Sequence, residues 1–514
     1  MAVWNEGYVS EVTYTTGFYR EVSPGWIALA AMLLGQRPPP SSGVFRWAEL
    51  GCGQGLAPNA FAAAHPQADF WGFDFNPSHI ENARRLAAGA GLGNAHFAEA
   101  SFAELAAGDV PGLPSFDYIV LHGIWSWVSP ENRGHMVRFI RRHLAPGGIV
   151  YVSYNALAGW ASMVPVQRMM RLIARSQPGP SGEAMNRAMA RTLEIAKSDA
   201  GFFGVNPSVL ARLEQAAGLD ARYLAHEYLN GNWDPATFDE VATTMADAKC
   251  GFIGSATLTD NIDGVSVPPG VVKLLAGVTD PHLREAIRDL GAARPFRRDL
   301  FRRGTEAPPQ GEHLALLQSL VLTGLGRERD LKIPTGIGHV TPRPEIYDPL
   351  LRRMAQGPLG FAELRATGPL AGQPLSEVLQ VLAFLLTGGL ALPSQPEAAA
   401  TAATPGAAAL NRQIGLANAG GANIAALVSP KLGTAIVADV VETLLLPPLL
   451  RGETDPAALT ADVLASLAAS GRSVLKDGAV VADAAQARAA MGATVTRILA
   501  ERVGLFRSLG ILPG

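Results

Sequence analysis

The nine residues Trp47-Ala-Glu-Leu-Gly-Cys-Gly-Gln-Gly55 constrain the fold more than any other part of the chain. An apolar strand pattern runs into Gly51, Gly53 and Gly55 and then into a helical pattern over 56–64. Without a Cβ, these glycines let the backbone turn sharply and approach a ligand closely. The spacing is GxGxG. Position 56 is Leu, so the third glycine of a dinucleotide-binding GxGxxG turn is missing.

From residue 44 the pattern alternates strand and helix, which predicts an α/β, Rossmann-like, doubly wound parallel sheet. Strands are expected over 44–50, 69–73, 95–98, 116–121 and 149–153. Ligands of such sheets sit at the carboxyl ends of the strands. Asp74, which ends the second strand with Phe75 beside it, can accept hydrogen bonds from both hydroxyls of a ribose. Ser101 and Phe102, after the third strand, are expected to flank an adenine. Glu49 precedes the glycine turn, where it would repel a pyrophosphate but suit a ligand carrying a cation and amines. That selects S-adenosyl-L-methionine over NAD, with Cys52 as a small filler inside the turn.

At 514 residues the chain needs three or four cores. With 17% charged residues and a net charge of -3, nothing in the overall balance favours nucleic acid or an anionic membrane. Cys52 and Cys250 lie far apart in sequence and suggest no disulfide framework, so a reducing, cytoplasmic location is expected. No apolar run reaches the roughly 20 residues that span a bilayer. His226-Glu227 has no second histidine at HExxH spacing, so no metal site is expected. The basic run Arg294, Arg297, Arg298, Arg302 and Arg303 reads as a solvated face relieved by Asp299, or as a contact for an acidic substrate. Residues 8–36 begin with Tyr8, Tyr14, Thr15, Thr16, Phe18, Tyr19 and Arg20, either a lid over the ligand or packed aromatics.

Glu49-Leu-Gly-Cys-Gly-Gln-Gly55, Asp74 and Pro146-Gly-Gly148 together resemble a class I S-adenosylmethionine-dependent methyltransferase. More narrowly, HGIWSW, VSYNALAGW and HEYLNGNWDPATFDEVATTMADAKCGFIGSA resemble methyltransferases that carry a methyltransferase regulatory domain, a group that includes rickettsial enzymes methylating lysines of an outer-membrane protein. The sequence departs from these patterns at Ser101, where many class I enzymes have aspartate, and at Ala158, where the family usually has proline. The resemblance implies a catalytic domain over 1–165, a helical connector over 166–219 and a mixed regulatory domain over 220–305. A winged-helix-like segment over 306–396, a linker over 397–409 and a helical C-terminal domain over 410–514 complete the expected plan.

Methyl transfer from a sulfonium is an in-line displacement, so the protein mainly aligns the groups and excludes water. A lysine nucleophile, with a pKa of about 10.4, must lose its proton first, and aromatic faces desolvate it while tolerating the charged product. Trp125 and Trp127 after the fourth strand, and Tyr154, Asn155 and Trp160 after the fifth, are expected to line the acceptor side. Tyr154 or Asn155 would orient the amine. His122 also faces the cofactor and could instead serve a hydroxyl acceptor as general base. The expected partner is a protein, with a small-molecule, lipid or glycan acceptor, or a non-catalytic interaction role, as alternatives.

Overall fold

The computed structural model describes residues 17–177, 179–304, 307–326, 332–476 and 479–513. Tyr8, Tyr14, Thr15 and Thr16 of the expected lid lie outside these residues. Arg46–Leu50 (β1), Asp69–Asp74 (β2), Ala95–Glu99 (β3), Phe116–Leu121 (β4), Leu144–Asn155 (β5), Cys250–Ser255 (β6) and Phe296–Arg303 (β7) form one sheet. Its order is β3-β2-β1-β4-β5-β7-β6. The first five strands are parallel, and β7 runs antiparallel to both β5 and β6. The strand order reverses between β1 and β4, which opens a crevice at their carboxyl ends.

Five helices flank these strands: Pro24–Leu33 (α1), Leu56–Ala64 (α2), Pro77–Gly89 (α3), Phe102–Ala107 (α4) and Pro130–His143 (α5). Local chemistry fixes their starts. Ser23, Asn76 and Ser129 accept from backbone N–H groups in the first turns of α1, α3 and α5, each followed by proline at the first helical position. Ser101 and Glu104 form a reciprocal capping box on α4.

The sheet separates two cores. Trp47, Tyr118, Tyr151 and Leu300 pack on one face with Trp26 and Ile27 of α1. Leu50, Ile119, Val152, Tyr154 and Phe301 pack on the other with Phe139 of α5 and Phe238. The sheet continues through β7 and β6, which belong to the 220–305 region, so the two regions share one hydrophobic unit.

The helices Val164–Ser176, Ser181–Ala196, Gly201–Val205 and Pro207–Ala216 follow. Strands Val321–Gly324, Leu359–Gly360 and Ala391–Pro393 form a small antiparallel sheet with helices Pro344–Met354, Phe361–Ala366 and Leu375–Thr387. The stretch 397–409, expected as a linker, is instead the first half of the helix Glu397–Ala419. Its small residues are there for close packing: Ala403 and Ala407 are buried, and a Cβ on Gly406 would meet the Ala63 carbonyl of α2 at 2.8 Å. Downstream, 434–437 is a strand of the hairpin Ala426–Ser429/Thr434–Val437, not part of a helix, and the helices Val440–Leu450, Pro456–Ala469, Ala484–Glu501 and Val503–Ser508 follow, with the short strands Leu475–Lys476 and Ala479–Val480 paired between the second and third.

Candidate active site

The glycine turn ends β1 with three left-handed residues, Gly51 (φ 72°), Gly53 (φ 52°) and Gly55 (φ 69°). They differ in purpose. A Cβ at Gly55 would stand 2.5 Å from the Ala83 Cβ and 2.7 Å from the Phe97 ring, so this glycine lets α3 and β3 close on the turn. A Cβ at Gly53 would meet nothing within 4 Å, because Gly53 faces open cavity. The Gly53 N–H donates to Asp74 Oδ2 at 2.9 Å, and the Asn76 N–H donates to Oδ1 at 2.9 Å. His79 Nδ1 lies 3.3 Å from Oδ1. Asp74 therefore holds the turn in shape while presenting its carboxylate to the cavity.

The cavity, of about 430 Å³, runs along the carboxyl ends of the strands. Asp74, Phe75, Ser101 and Phe102 line it beyond β2 and β3, and His122 lines it beyond β4. His122 Nδ1 is 3.2 Å from both the Tyr151 and Ser153 hydroxyls, and the Tyr19 ring lies 4.1 Å from its own. Burial, then the nearby Arg298 cation, push its pKa down to about 3, so the imidazole is neutral. Further along, Trp127, Asn155 and Trp160 share the wall with Tyr223, Glu227 and Arg298.

A model of the methyltransferase domain matches residues 48–150, and a model described as a predicted methyltransferase regulatory domain matches 220–303. An uncharacterised protein of Synechocystis sp. is 36% identical over 510 residues, covering 99% of each chain. The chain belongs to the S-adenosylmethionine-dependent methyltransferases that carry a regulatory domain. An uncharacterised protein of Rickettsia prowazekii is 28% identical to this methyltransferase over 296 residues, 57% of this chain and 52% of that one. In three dimensions the methyltransferase is similar to PKMT2 from Rickettsia typhi in complex with AdoHcy, with a TM-score of 0.68 at 18% identity over 98% and 100% of the two chains. That identity speaks for the fold alone.

Of the residues expected at the site of this methyltransferase, Gly51, Gly53, Asp74, Phe75, Ser101, Phe102, His122, Trp127, Asn155 and Trp160 line one cavity. Ser101 spends its hydroxyl on the α4 cap, donating to Glu104 at 2.8 Å. Glu49 and Cys52 are buried beneath the turn. Burial, with Asp74 adding to it, raises the Glu49 carboxyl to about 8, and the Cys52 thiol is raised well above its ordinary range, as suits a filler.

Two expected acceptor residues are elsewhere. Trp125 is 2% exposed and packs in the core on the far face of the sheet, with the Arg133 guanidinium 5.7 Å from its ring. Tyr154 is fully buried on that same face, and its hydroxyl donates to Asp299 Oδ2 at 2.6 Å. Strand side chains alternate, so Ser153 and Asn155 turn to the cavity and Tyr154 must turn away.

The basic run is not a solvated face. Arg297 is 1% exposed and donates to Asp299, Asp289 and Glu285 at 2.8, 2.6 and 2.9 Å. Arg298, one residue on, pairs in register with Ser153 and faces the cavity. Arg298 was singled out only as one of a basic run, solvated or facing an acidic substrate, and Tyr223, Glu227, Asn230 and Asn232 were missed as cavity residues. For Glu227, Asn230 and Asn232 the signal was the polar run within His226-Glu-Tyr-Leu-Asn-Gly-Asn232, which carries the regulatory-domain resemblance and the rejected metal motif. Among the described residues no acidic, His or Cys cluster fits a metal, and no helix is long and apolar enough to cross a membrane.

Proposed function

We propose that this protein transfers methyl groups from S-adenosylmethionine to lysine side chains of another protein, in the cytoplasm. The observation that carries the reading is the continuity of one cavity from the Gly53–Asp74 wall to an aromatic end bearing Trp127, Trp160, Tyr19 and Tyr223. The donor fits the residues present: Gly53 leaves open space where any side chain would intrude, and Asp74 offers a carboxylate suited to vicinal hydroxyls. Phe75, Ser101 and Phe102 line the stretch of cavity where an adenine would lie, and Arg298 would supply a cation for the donor's carboxylate near His122. When bound, the cofactor supplies an electrophilic methyl group. The chain's own residues orient the acceptor and exclude water.

The lysine acceptor is supported by the resemblance to the rickettsial lysine-methylating enzymes and by the aromatic walls, which stabilise an ammonium product. A hydroxyl acceptor needs a base, and His122, pushed down to about 3, is a weak one. The free cysteines Cys52 and Cys250 suit a reducing compartment. With tritium-methyl donor and cell extract, label is expected in protein bands; label confined to organic-soluble material defeats the protein reading. Calorimetry with S-adenosylhomocysteine tests the donor wall. Asp74→Ala is expected to weaken binding roughly ten- to a hundredfold, and failure of the wild type to bind would overturn the enzyme reading.

A further inference from the structure

The cavity contains one carboxylate that the donor wall does not use. Glu227 lies on the helix Ala221–Tyr228, in the regulatory region, and reaches the same chamber as Asn155, Trp127 and Trp160. Arg298, on the same wall, acts on His122, Tyr19 and Tyr151. It is not among the influences on Glu227, which are burial and, opposing it, the Asn155 amide. A partly buried carboxylate without an ion-pair partner is costly, and it gains most from a ligand that brings a cation.

We infer that Glu227 is the acceptor carboxylate: it docks the substrate's ammonium between the aromatic walls and takes one of its protons. This rests on the amine-methylating reading and makes the regulatory region part of the reaction centre. The step is balanced. An N–H bond of R–NH₃⁺ breaks, its proton forms an O–H bond on the Glu227 carboxylate, and the nitrogen keeps the electron pair that methyl transfer requires. Burial already holds the Glu227 carboxyl at about 7, a proton affinity matched to such exchange near neutral pH. Its other titratable neighbours are Tyr19, from the N-terminal segment, and Tyr223 and Tyr228 on its own helix, all with raised values, beside His226. The tyrosines therefore stay protonated through this range.

Full-length Glu227→Gln is the test. It should bind S-adenosylhomocysteine like wild type, which shows an intact fold, yet label protein about a hundredfold more slowly. Wild-type labelling should rise with pH through about 7 as Glu227 loses its proton, and in Glu227→Gln that rise should move up toward the range of the free amine. Equal labelling by the two proteins, or removal of the limb by His226→Gln instead, overturns the inference. A readout independent of turnover is n-butylammonium, the lysine side chain alone, titrated into the S-adenosylhomocysteine complex. Wild type should bind it at least about tenfold more tightly than Glu227→Gln, by the strength of a charge-assisted contact. Equal or absent binding refutes the role. If the wild type labels no protein, the protein-lysine reading fails, while the butylammonium titration still decides Glu227.

Discussion

At the scale of single residues, Tyr154 and Asn155 show how one step along a strand separates structure from chemistry. Both end β5, yet Asn155 borders the cavity and Tyr154 binds Asp299 on the opposite face. Tyr154→Phe should therefore leave S-adenosylhomocysteine affinity and methyl transfer near wild type. Its cost is stability, about 1.5–3 kcal/mol for a hydrogen bond to a charged acceptor, measurable by urea unfolding. A large loss of activity in a stably folded Tyr154→Phe would restore this tyrosine to the reaction. The residues flanking β5 were legible as a group from their place at the sheet edge. Which ones face the cavity was not, because that needs the strand's register, and the apolar run 149–152 is buried on both sides and shows no alternation.

At the scale of elements, the glycine turn, α2 and β4 were legible residue for residue, since each is specified by local pattern: apolar runs, a glycine break, a helix start. The strand β7 was not. Five arginines in ten residues imitate a solvated stretch, and the acids that neutralise Arg297 come from a preceding helix at Glu285 and Asp289 as well as from Asp299. Such pairing is invisible until the chain is folded. The same holds for the helix Glu397–Ala419, whose alanine-rich composition reads as a linker but serves close contact with α2. Arg297→Met should cost about 3–5 kcal/mol, because it strands buried carboxylates without their cation. Loss of soluble protein, or a large drop in the urea midpoint, checks this; a near-neutral effect would mean that these acids are protonated in the folded state.

At the scale of the whole molecule, the C-terminal region is attached to the catalytic sheet by a contact that senses pH. His65, at the end of α2, is 4% exposed, and its Nε2 lies 2.8 Å from the Gly433 carbonyl in the hairpin of the C-terminal region. Burial pushes its pKa down to about 4, despite that hydrogen bond. The unfolded chain takes up the proton near 6.5 and the folded chain does not, so stability is full above 6.5 and falls as the pH drops from there to 4. The loss reaches about 3 kcal/mol by pH 4. Urea midpoints at pH 7.5 and 4.5 should show it, and His65→Gln should flatten the difference. The shared sheet has a further consequence, for synthesis. When the ribosome has made β5, the nucleotide half of the protein exists but ends in a bare strand edge, the kind that seeks another chain. Asn155 waits for Phe296 to pair with it. The sheet is therefore closed late, after the segment bearing Glu227 has emerged, so a product truncated after β5 lacks both Glu227 and the Arg298 wall and is left with a sticky edge.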